Sequence, residues 1–145
     1  MAELYGVNRT KLNTPIGANV ISTGQVNAKE NVMYDTYEAA AASADDVILM
    51  GGTLPAGAIV TYVALICDDL GTGVTADVGD GDTVDRYIDG ADVATAASFN
   101  TFPSVAEIDN VGYEIGQATG DNQIQVTILG AAATGTIKLL VKYSL

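Results

Sequence analysis

The stretch AIVTYVALICDDL, residues 58–70, decides the fold. As an extended strand its two alternating sets of side chains are both almost entirely apolar, so each face needs cover from water. In a sandwich of two sheets, the second sheet covers one face. The other is most simply covered by another subunit or by the N-terminal part of the chain. The sequence therefore predicts that Val60, Tyr62 and Ile66 make subunit contacts.

Two later stretches alternate clearly between apolar and polar residues. In NQIQVTIL, residues 122–129, Ile124 and Val126 share a face that the intervening glutamines do not. TIKLLVKY, residues 136–143, has the same period of two. This period indicates strands with one face in a core and one in solvent. GAAATG, residues 130–135, links them, so the pair is compatible with a hairpin.

Turn signals divide the rest of the chain into short strands. EAAAASADD, residues 38–46, has high helix propensity but is too short to be stable alone, and it is predicted as a helical turn or loop. Eight strands of this length favour an all-β fold, a single β-sandwich, with an eight-stranded jelly roll as the leading choice. The predicted strands are approximately 31–37, 46–51, 58–67, 73–78, 84–88, 111–115, 122–129 and 135–143.

The acidic stretch DVGDGDTVDRYIDG, residues 77–90, has three possible interpretations: a calcium loop, a catalytic cluster or a turn. An EF-hand requires Gly at position 6 and Glu at position 12, and neither Asp77 nor Asp80 as a start satisfies this. A turn accounts for the glycines, with 84–88 as the return strand and Arg86 neutralising some of the aspartates. No metal site is predicted, although a cation near Asp80, Asp82 and Asp85 stays open.

Residues 1–30 differ from the remainder, 31–145. They are polar with scattered apolar residues, and Pro15 with several glycines breaks any helical stripe. We predict an extended N-terminal arm followed by one sandwich domain, because an unattached tail has no reason to carry apolar residues. Tyr5 is a candidate anchor in a partner's pocket, and Arg9 and Lys11 are candidate partner contacts.

The net charge of −12 excludes several function classes. Residues 1–29 contain three basic residues and one acid, whereas the remainder contains three basic residues and seventeen acids. So acidic a body repels phosphate backbones, which argues against nucleic-acid binding. No apolar run reaches the length of a membrane span, so no membrane partner is expected. The lone Cys67 lies in an apolar run and is predicted to be a buried hydrophobe.

Catalysis has little support in the sequence. The chain has no histidine, and it contains no nucleophile elbow, phosphate loop, dinucleotide fingerprint or CxxC pair. We therefore predict no enzyme activity, no catalytic residue and no cofactor. Two carboxylates could cleave a glycosidic bond, and Asp68–Asp69 and Glu107–Asp109 are the available pairs. The low aromatic content of 6% favours surface acids instead.

Three segments resemble small structural proteins of tailed-bacteriophage particles: GTLPAGAIV (52–60), GTGVTADVGDGDTVDRYIDGAD (71–92) and GAAATGTIKLLVKY (130–143). The resemblance extends in order over about residues 31–145. It implies a capsid cement or decoration protein, assembled in the host cytoplasm, that binds the outside of the virion shell. It also implies a homotrimer, with the major capsid protein as partner.

Two other function classes remain open at this stage. One is a head-fibre or receptor- or glycan-binding module of the virion, for which Phe99 and Phe102 in ASFNTFPS are the candidate ligand contacts. The other is a small hydrolase that uses carboxylates. It requires two carboxyl groups about 5–10 Å apart in a cleft.

Overall fold

A computed structural model describes residues 29–94, 97–116 and 122–145. The described chain is built of β-strands, and a short 3-10 turn covers Ile108–Asn110. No helix among these residues has the length and apolar content to span a bilayer. The strands are β1 (Glu30–Ala42), β2 (Val47–Thr53), β3 (Ile59–Cys67), β4 (Thr75–Gly79), β5 (Ile88–Asp92), β6 (Ser98–Phe102), β7 (Gln123–Leu129) and β8 (Ala133–Ser144).

The strands form two four-stranded antiparallel sheets. Sheet 1 has the order β1-β8-β3-β6, and sheet 2 has the order β2-β7-β4-β5. Consecutive strands thus alternate between the sheets, except where β4 and β5 are neighbours in sheet 2. This is the strand order of a jelly roll, in which two packed sheets share one core. The prediction of an all-β sandwich with eight strands is confirmed.

The core lies between the two sheets. Ile124, Val126 and Ile128 of β7 face it from sheet 2, and Ile137, Leu139 and Val141 of β8 face it from sheet 1. Each such side chain stabilises the fold by roughly 1.5–3 kcal/mol relative to leaving it in water. The largest fully buried side chains elsewhere in this core are Tyr87, Phe102, Met50, Leu54, Leu65, Leu70, Val63 and Val74.

The edges of the two sheets are joined where β1 meets β2. Asp35 Oδ2 accepts a hydrogen bond from the Gly51 amide over 2.6 Å, and Asp35 Oδ1 accepts one from the Thr36 amide. These two backbone donors lower the pKa of Asp35. Gly51 has a φ of +66°, and a Cβ there would collide with the side chain of Met33. Glycine is therefore favoured at this junction by its positive φ, while the flexible Met33 side chain would have to shift to admit a Cβ.

The helical interpretation of residues 38–46 is wrong. Strand β1 continues to Ala42, and its last residues pair with residues 133–136 at the beginning of β8. Ala39 is buried in the core. Tertiary pairing and burial therefore override the helix propensity of the alanine run. The turn comes later, where the Ser43 amide donates to Asp46 Oδ2 over 2.7 Å.

The prediction of a hairpin between the last two strands is also wrong. β7 pairs with β2 and β4, whereas β8 pairs with β1 and β3. The apolar faces of β7 and β8 point towards each other across the core, which requires the two strands to lie in opposite sheets. Gln125 and Thr127, predicted to face solvent, are buried because β7 lies between two neighbours.

Three further strand predictions need correction. The return strand after the acidic turn is 88–92 and not 84–88. Strand β6, residues 98–102, lies in a stretch predicted as loop, since its Ser, Asn and Thr lack apolar alternation. Residues 111–115 form no strand. They contribute one bridge, between Glu114 and Ile59, because Val111 and Gly112 continue the turn that follows the 3-10 segment, with the Tyr113 amide donating to the Asn110 carbonyl.

Candidate interaction surface

A β-bulge in β3 decides which of its side chains face the core. Val60 pairs with Tyr143 and Tyr62 with Lys142, so Thr61 is an extra residue in β3. The bulge places Val60 on the same side as Val63, in the buried core. Val60 is therefore sheltered by its own chain. Its prediction as a subunit contact fails, because strict alternation put it on the wrong face.

The side chains of β3 that point away from the core are Tyr62, Ala64 and Ile66. Register places them beside residues of the three other strands of sheet 1, since directly paired residues share a face. Tyr34, Leu140, Ala64 and Thr101 form one row across the sheet. We call this surface the outer face of sheet 1, and its apolar members are Val32, Tyr34, Tyr62, Ala64, Ile66, Phe99 and Leu140.

This outer face is open to solvent. Val32, Tyr34, Ile66 and Phe99 are each between 40% and 62% exposed. Single exposed apolar side chains are ordinary on protein surfaces, whereas several on one face of a sheet form the kind of patch that interaction sites commonly use. Tyr62 and Ile66 therefore lie on the second apolar face that the sequence predicted for β3. Their contact with another subunit stays a prediction.

Charges of both signs lie among and beside the apolar residues, with Lys138 and Lys142 on central strand β8 and Glu30 and Glu38 on edge strand β1. Lys142 Nζ lies 3.5 Å from Glu30 Oε2 and 5.9 Å from the centre of the Tyr62 ring. Lys138 pairs with Thr36 across the same face, and Glu38 Oε2 accepts a hydrogen bond from Thr136 over 2.8 Å. A face with both signs of charge is compatible with a second copy of the same surface, because acids and bases are present in similar number.

The acidic stretch 77–90 is a braced turn. Asp80 Oδ1 accepts the amides of Asp82 and Thr83, which closes the turn. Asp80 Oδ2 accepts Arg86 Nε over 2.7 Å and the Tyr87 hydroxyl over 3.2 Å. Arg86 also reaches Asp82 over 2.7 Å. The turn interpretation is therefore confirmed, and Arg86 neutralises aspartates as predicted.

Three groups near this turn have shifted pKa values, and desolvation contributes to each shift or opposes it. Desolvation lowers the pKa of Arg86, but the hydrogen bond and charge of Asp80 outweigh it, so the net shift is upward. For Tyr87, desolvation raises the pKa of the hydroxyl, and the charge of Asp80 raises it further. Asp77 accepts the Gly90 amide over 2.7 Å, yet desolvation raises the pKa of its carboxyl. Charged groups here serve packing and turn geometry.

The hydrolase hypothesis gains no support from the cleft beside β1. An open cleft of about 460 Å³ lies between β1 and β2, and its ionisable side chains are Tyr37 and Asp46. One carboxylate cannot provide the acid and base pair that glycoside hydrolysis needs. Across residues 29–94, 97–116 and 122–145 there is also no group of three or more potential metal-ligating acids and cysteines. The absence of enzyme activity stays a prediction.

The two candidate carboxylate pairs serve loop structure. Asp68 Oδ2 accepts the Thr136 amide and Asp69 Oδ1 accepts the Gly71 amide. Glu107 is buried and accepts a hydrogen bond from Ser104. Cys67 is buried as predicted, and burial raises the pKa of its thiol to about 11. Raising the pKa keeps this thiol protonated and unreactive at neutral pH.

The predicted contact residues have different positions. Tyr5, Arg9 and Lys11 lie outside the described residues, as does the arm up to residue 28. Of the two phenylalanines proposed as ligand contacts, Phe102 is in the core, edge-on to Tyr87 with ring centres 5.3 Å apart. Phe99 is exposed on the outer face of sheet 1.

Sequence reasoning missed Val32, Tyr34, Phe99 and Leu140 as members of this surface. The signal for the first two was present, because Val32, Tyr34 and Thr36 alternate with Met33 and Asp35 in NVMYDTYE. Leu140 is the apolar exception among the outward residues of TIKLLVKY. Phe99 was predicted only as a ligand contact, and its place on this surface depends on strand β6, which was not predicted.

Comparison with solved structures identifies the same fold in chains from phage capsids. A chain in the capsid asymmetric unit of cyanophage Pam1 superposes with a TM-score of 0.61 at 24% identity, covering 90% of this chain and 92% of that chain. A chain in the capsid of Ralstonia phage GP4 gives a TM-score of 0.57 at 20% identity, covering 80% of this chain and 84% of that chain. No family model and no curated protein matches the sequence.

Proposed function

We propose that this chain is a structural protein of a phage virion, which binds the outer surface of the capsid and stabilises the shell. The observation that carries the proposal is the apolar outer face of sheet 1 on a jelly roll whose solved counterparts are chains of phage capsids. A protein that acts by adhesion needs a rigid body and adhesive surfaces. The described residues supply both, and their charged clusters serve turn and loop structure.

The outer face of sheet 1 is proposed as the contact between copies of this chain. Four strands spaced by about 4.8 Å and some 9 residues long present a face of roughly 600 Å². This approaches the roughly 800 Å² per partner of a standard interface. The lysines of β8 and the glutamates of β1 on this face are complementary to those of a second copy. Three copies around an axis, a homotrimer, are the assembly that we propose.

Stabilisation of the shell then follows from multivalency. A trimer whose three subunits each make a modest contact with the major capsid protein gains about 10²- to 10⁴-fold in avidity over one contact. Contacts that bridge neighbouring shell subunits oppose their separation. In this mechanism the arm, with Tyr5, Arg9 and Lys11, adds a tether to each subunit, and the protein resides on the virion exterior after assembly in the host cytoplasm.

The experiment uses undecorated shells and the purified full chain. We expect the chain to sediment with the shells and to raise the temperature at which they rupture. A chain without residues 1–28 is expected to bind more weakly, and equal binding by both forms would remove the arm from the mechanism. If the full chain ignores shells and binds host cells or glycans, the alternative of a receptor-binding module replaces this proposal.

A further inference from the structure

A second apolar surface lies at one end of the sandwich, away from the outer face of sheet 1. The loop that follows β6, residues 103–116, exposes Val105, Ile108 and Val111 by 52% to 89%. Val84, in the turn between β4 and β5, is 46% exposed. We call these four side chains the aliphatic tip. Exposed aliphatic residues add nothing to the core, and four in two adjoining loops need another explanation.

The two loops of the tip are fixed to each other. Asn110 Nδ2 donates to the Arg86 carbonyl over 2.7 Å, and the Arg86 guanidinium lies 3.6 Å from the centre of the Tyr113 ring. Arg86 is itself held by buried Asp80. Hydrogen bonds between Ile115 and residues 57–58 attach the far side of the loop to β3. The tip is therefore presented by braced loops, which lowers the entropy that binding would cost.

The first described residues lie at the same end of the molecule. Lys29 accepts a backbone hydrogen bond from Leu145, and Glu30 pairs with Ser144. Ser144 pairs in turn with Ile59, which bridges to Glu114 at the end of the tip loop. The described chain thus begins at the tip end of the sandwich. Twenty-eight residues can span up to about 90 Å, so we propose that the arm and the tip engage one surface together.

The charged side chains of the two tip loops are acidic apart from Arg86, and Lys29 at the same end is basic. Asp109 follows Ile108 directly, Glu114 lies near Val111, and Asp82 and Asp85 flank Val84, whereas the Arg86 charge is buried and paired. An apolar centre with a charged border is the usual anatomy of a protein interface. The complementary surface has an apolar depression bordered by lysine or arginine. A second tip does not meet this description, because two acidic borders repel.

From these observations we infer that the aliphatic tip is the surface with which this protein docks onto the phage shell, in an apolar depression bordered by basic side chains. This inference rests on the proposed function. It adds an orientation to it: the loop end with the arm faces the shell, while the outer face of sheet 1 is left for contacts between copies.

The test compares two variants of the full chain for binding to undecorated shells. V105S/I108S/V111S removes the apolar centre, and V47S/L49S is the control, since Val47 and Leu49 are also exposed aliphatic side chains, on sheet 2. All five side chains are outside the core, so both variants should fold. We expect V105S/I108S/V111S to bind shells at least about tenfold more weakly, and V47S/L49S to bind within about twofold of the parent.

The solution mass of each variant distinguishes docking on the shell from contact between copies of this chain. An unchanged mass together with weakened shell binding supports the inference. A lower mass for V105S/I108S/V111S would make the tip an interface between copies and overturn it, as would shell binding equal to that of the parent. If the parent chain itself fails to bind shells, the proposed function fails first, so the two failures are distinguishable. D109N/E114Q is expected to weaken binding and to reduce its salt dependence.

Discussion

Arg86 Nε donates a hydrogen bond to Asp80 Oδ2 over 2.7 Å, and both side chains are buried. A buried charge that loses its partner is costly, since neither water nor another group replaces the contact. The pair therefore connects the turn after β4 to the loop after β6, because Arg86 also contacts Tyr113 and Asn110. It fixes the turn that the sequence presents as a run of aspartates.

Removing Asp80 is expected to destabilise the fold strongly. Asp80→Ala leaves Arg86 buried without its main partner and releases two backbone amides, so we expect a loss of about 3–5 kcal/mol in the free energy of unfolding. Urea unfolding measures this. Asp82→Ala is the matched control, because the Asp82 side chain is 54% exposed and its loss should cost under about 1 kcal/mol. Equal losses would contradict the importance of burial.

Asp77 gives the opposite prediction. Its pKa is raised by burial, so the folded state favours the protonated form. Its ionised form therefore destabilises the fold at neutral pH, and this destabilisation disappears as the pH falls through the folded pKa. Asp77→Asn keeps an acceptor for the Gly90 amide. We expect it to be at least as stable as the parent at pH 7, with the difference shrinking as the pH falls through the raised pKa of Asp77. A loss of stability at pH 7 would refute this.

Gly79 should tolerate no side chain. A Cβ there would collide with the backbone carbonyls of Thr83 and Val84, which cannot move without opening the turn. Gly79→Ala is therefore expected to lower the free energy of unfolding by more than about 2 kcal/mol. Gly52→Ala is its control, because nothing lies within 4 Å of a Cβ at that position. Thermal unfolding of both variants provides the comparison, and equal melting temperatures would contradict it.

The outer face of sheet 1 is expected to hold copies together. Tyr34→Ser combined with Phe99→Ser removes its two most exposed aromatic side chains, and interface aromatics commonly contribute more than about 1 kcal/mol each. We expect the variant to shift towards the monomer in sedimentation experiments while its unfolding stays cooperative. V47S/L49S, on sheet 2, should keep the parent mass. A variant that assembles as the parent does would place the contact elsewhere.

The sequence predicted the class of fold because period-two alternation and turn residues are local signals. It predicted the second apolar face of 58–67 for the same reason. It did not reveal the bulge at Thr61, which depends on how β3 matches β8 and which moved Val60 into the core. The sequence did not predict strand 98–102, because pairing with β3, and not the pattern of its own residues, makes this segment a strand. The alanines of 38–42 likewise follow their partner in β8.

The candidate surfaces were predictable to different degrees. Tyr62 and Ile66 came from a local pattern, whereas the row of Tyr34, Leu140 and Ala64 requires the strand register. The aliphatic tip gave no signal. The pattern of Val111 and Ile115 predicted a strand. The 3-10 turn before Val111 and the Arg86–Tyr113 contact expose Val111 instead. Contacts between distant segments cannot be found from periodicity.

Sedimentation equilibrium of the full chain, with and without a chelator, tests whether identical copies of this chain assemble with one another. We expect three times the chain mass at micromolar concentration, unchanged when divalent cations are removed. A monomer at every concentration would contradict this, since the exposed side chains of Tyr34, Ile66 and Phe99 would then have no copy to cover them.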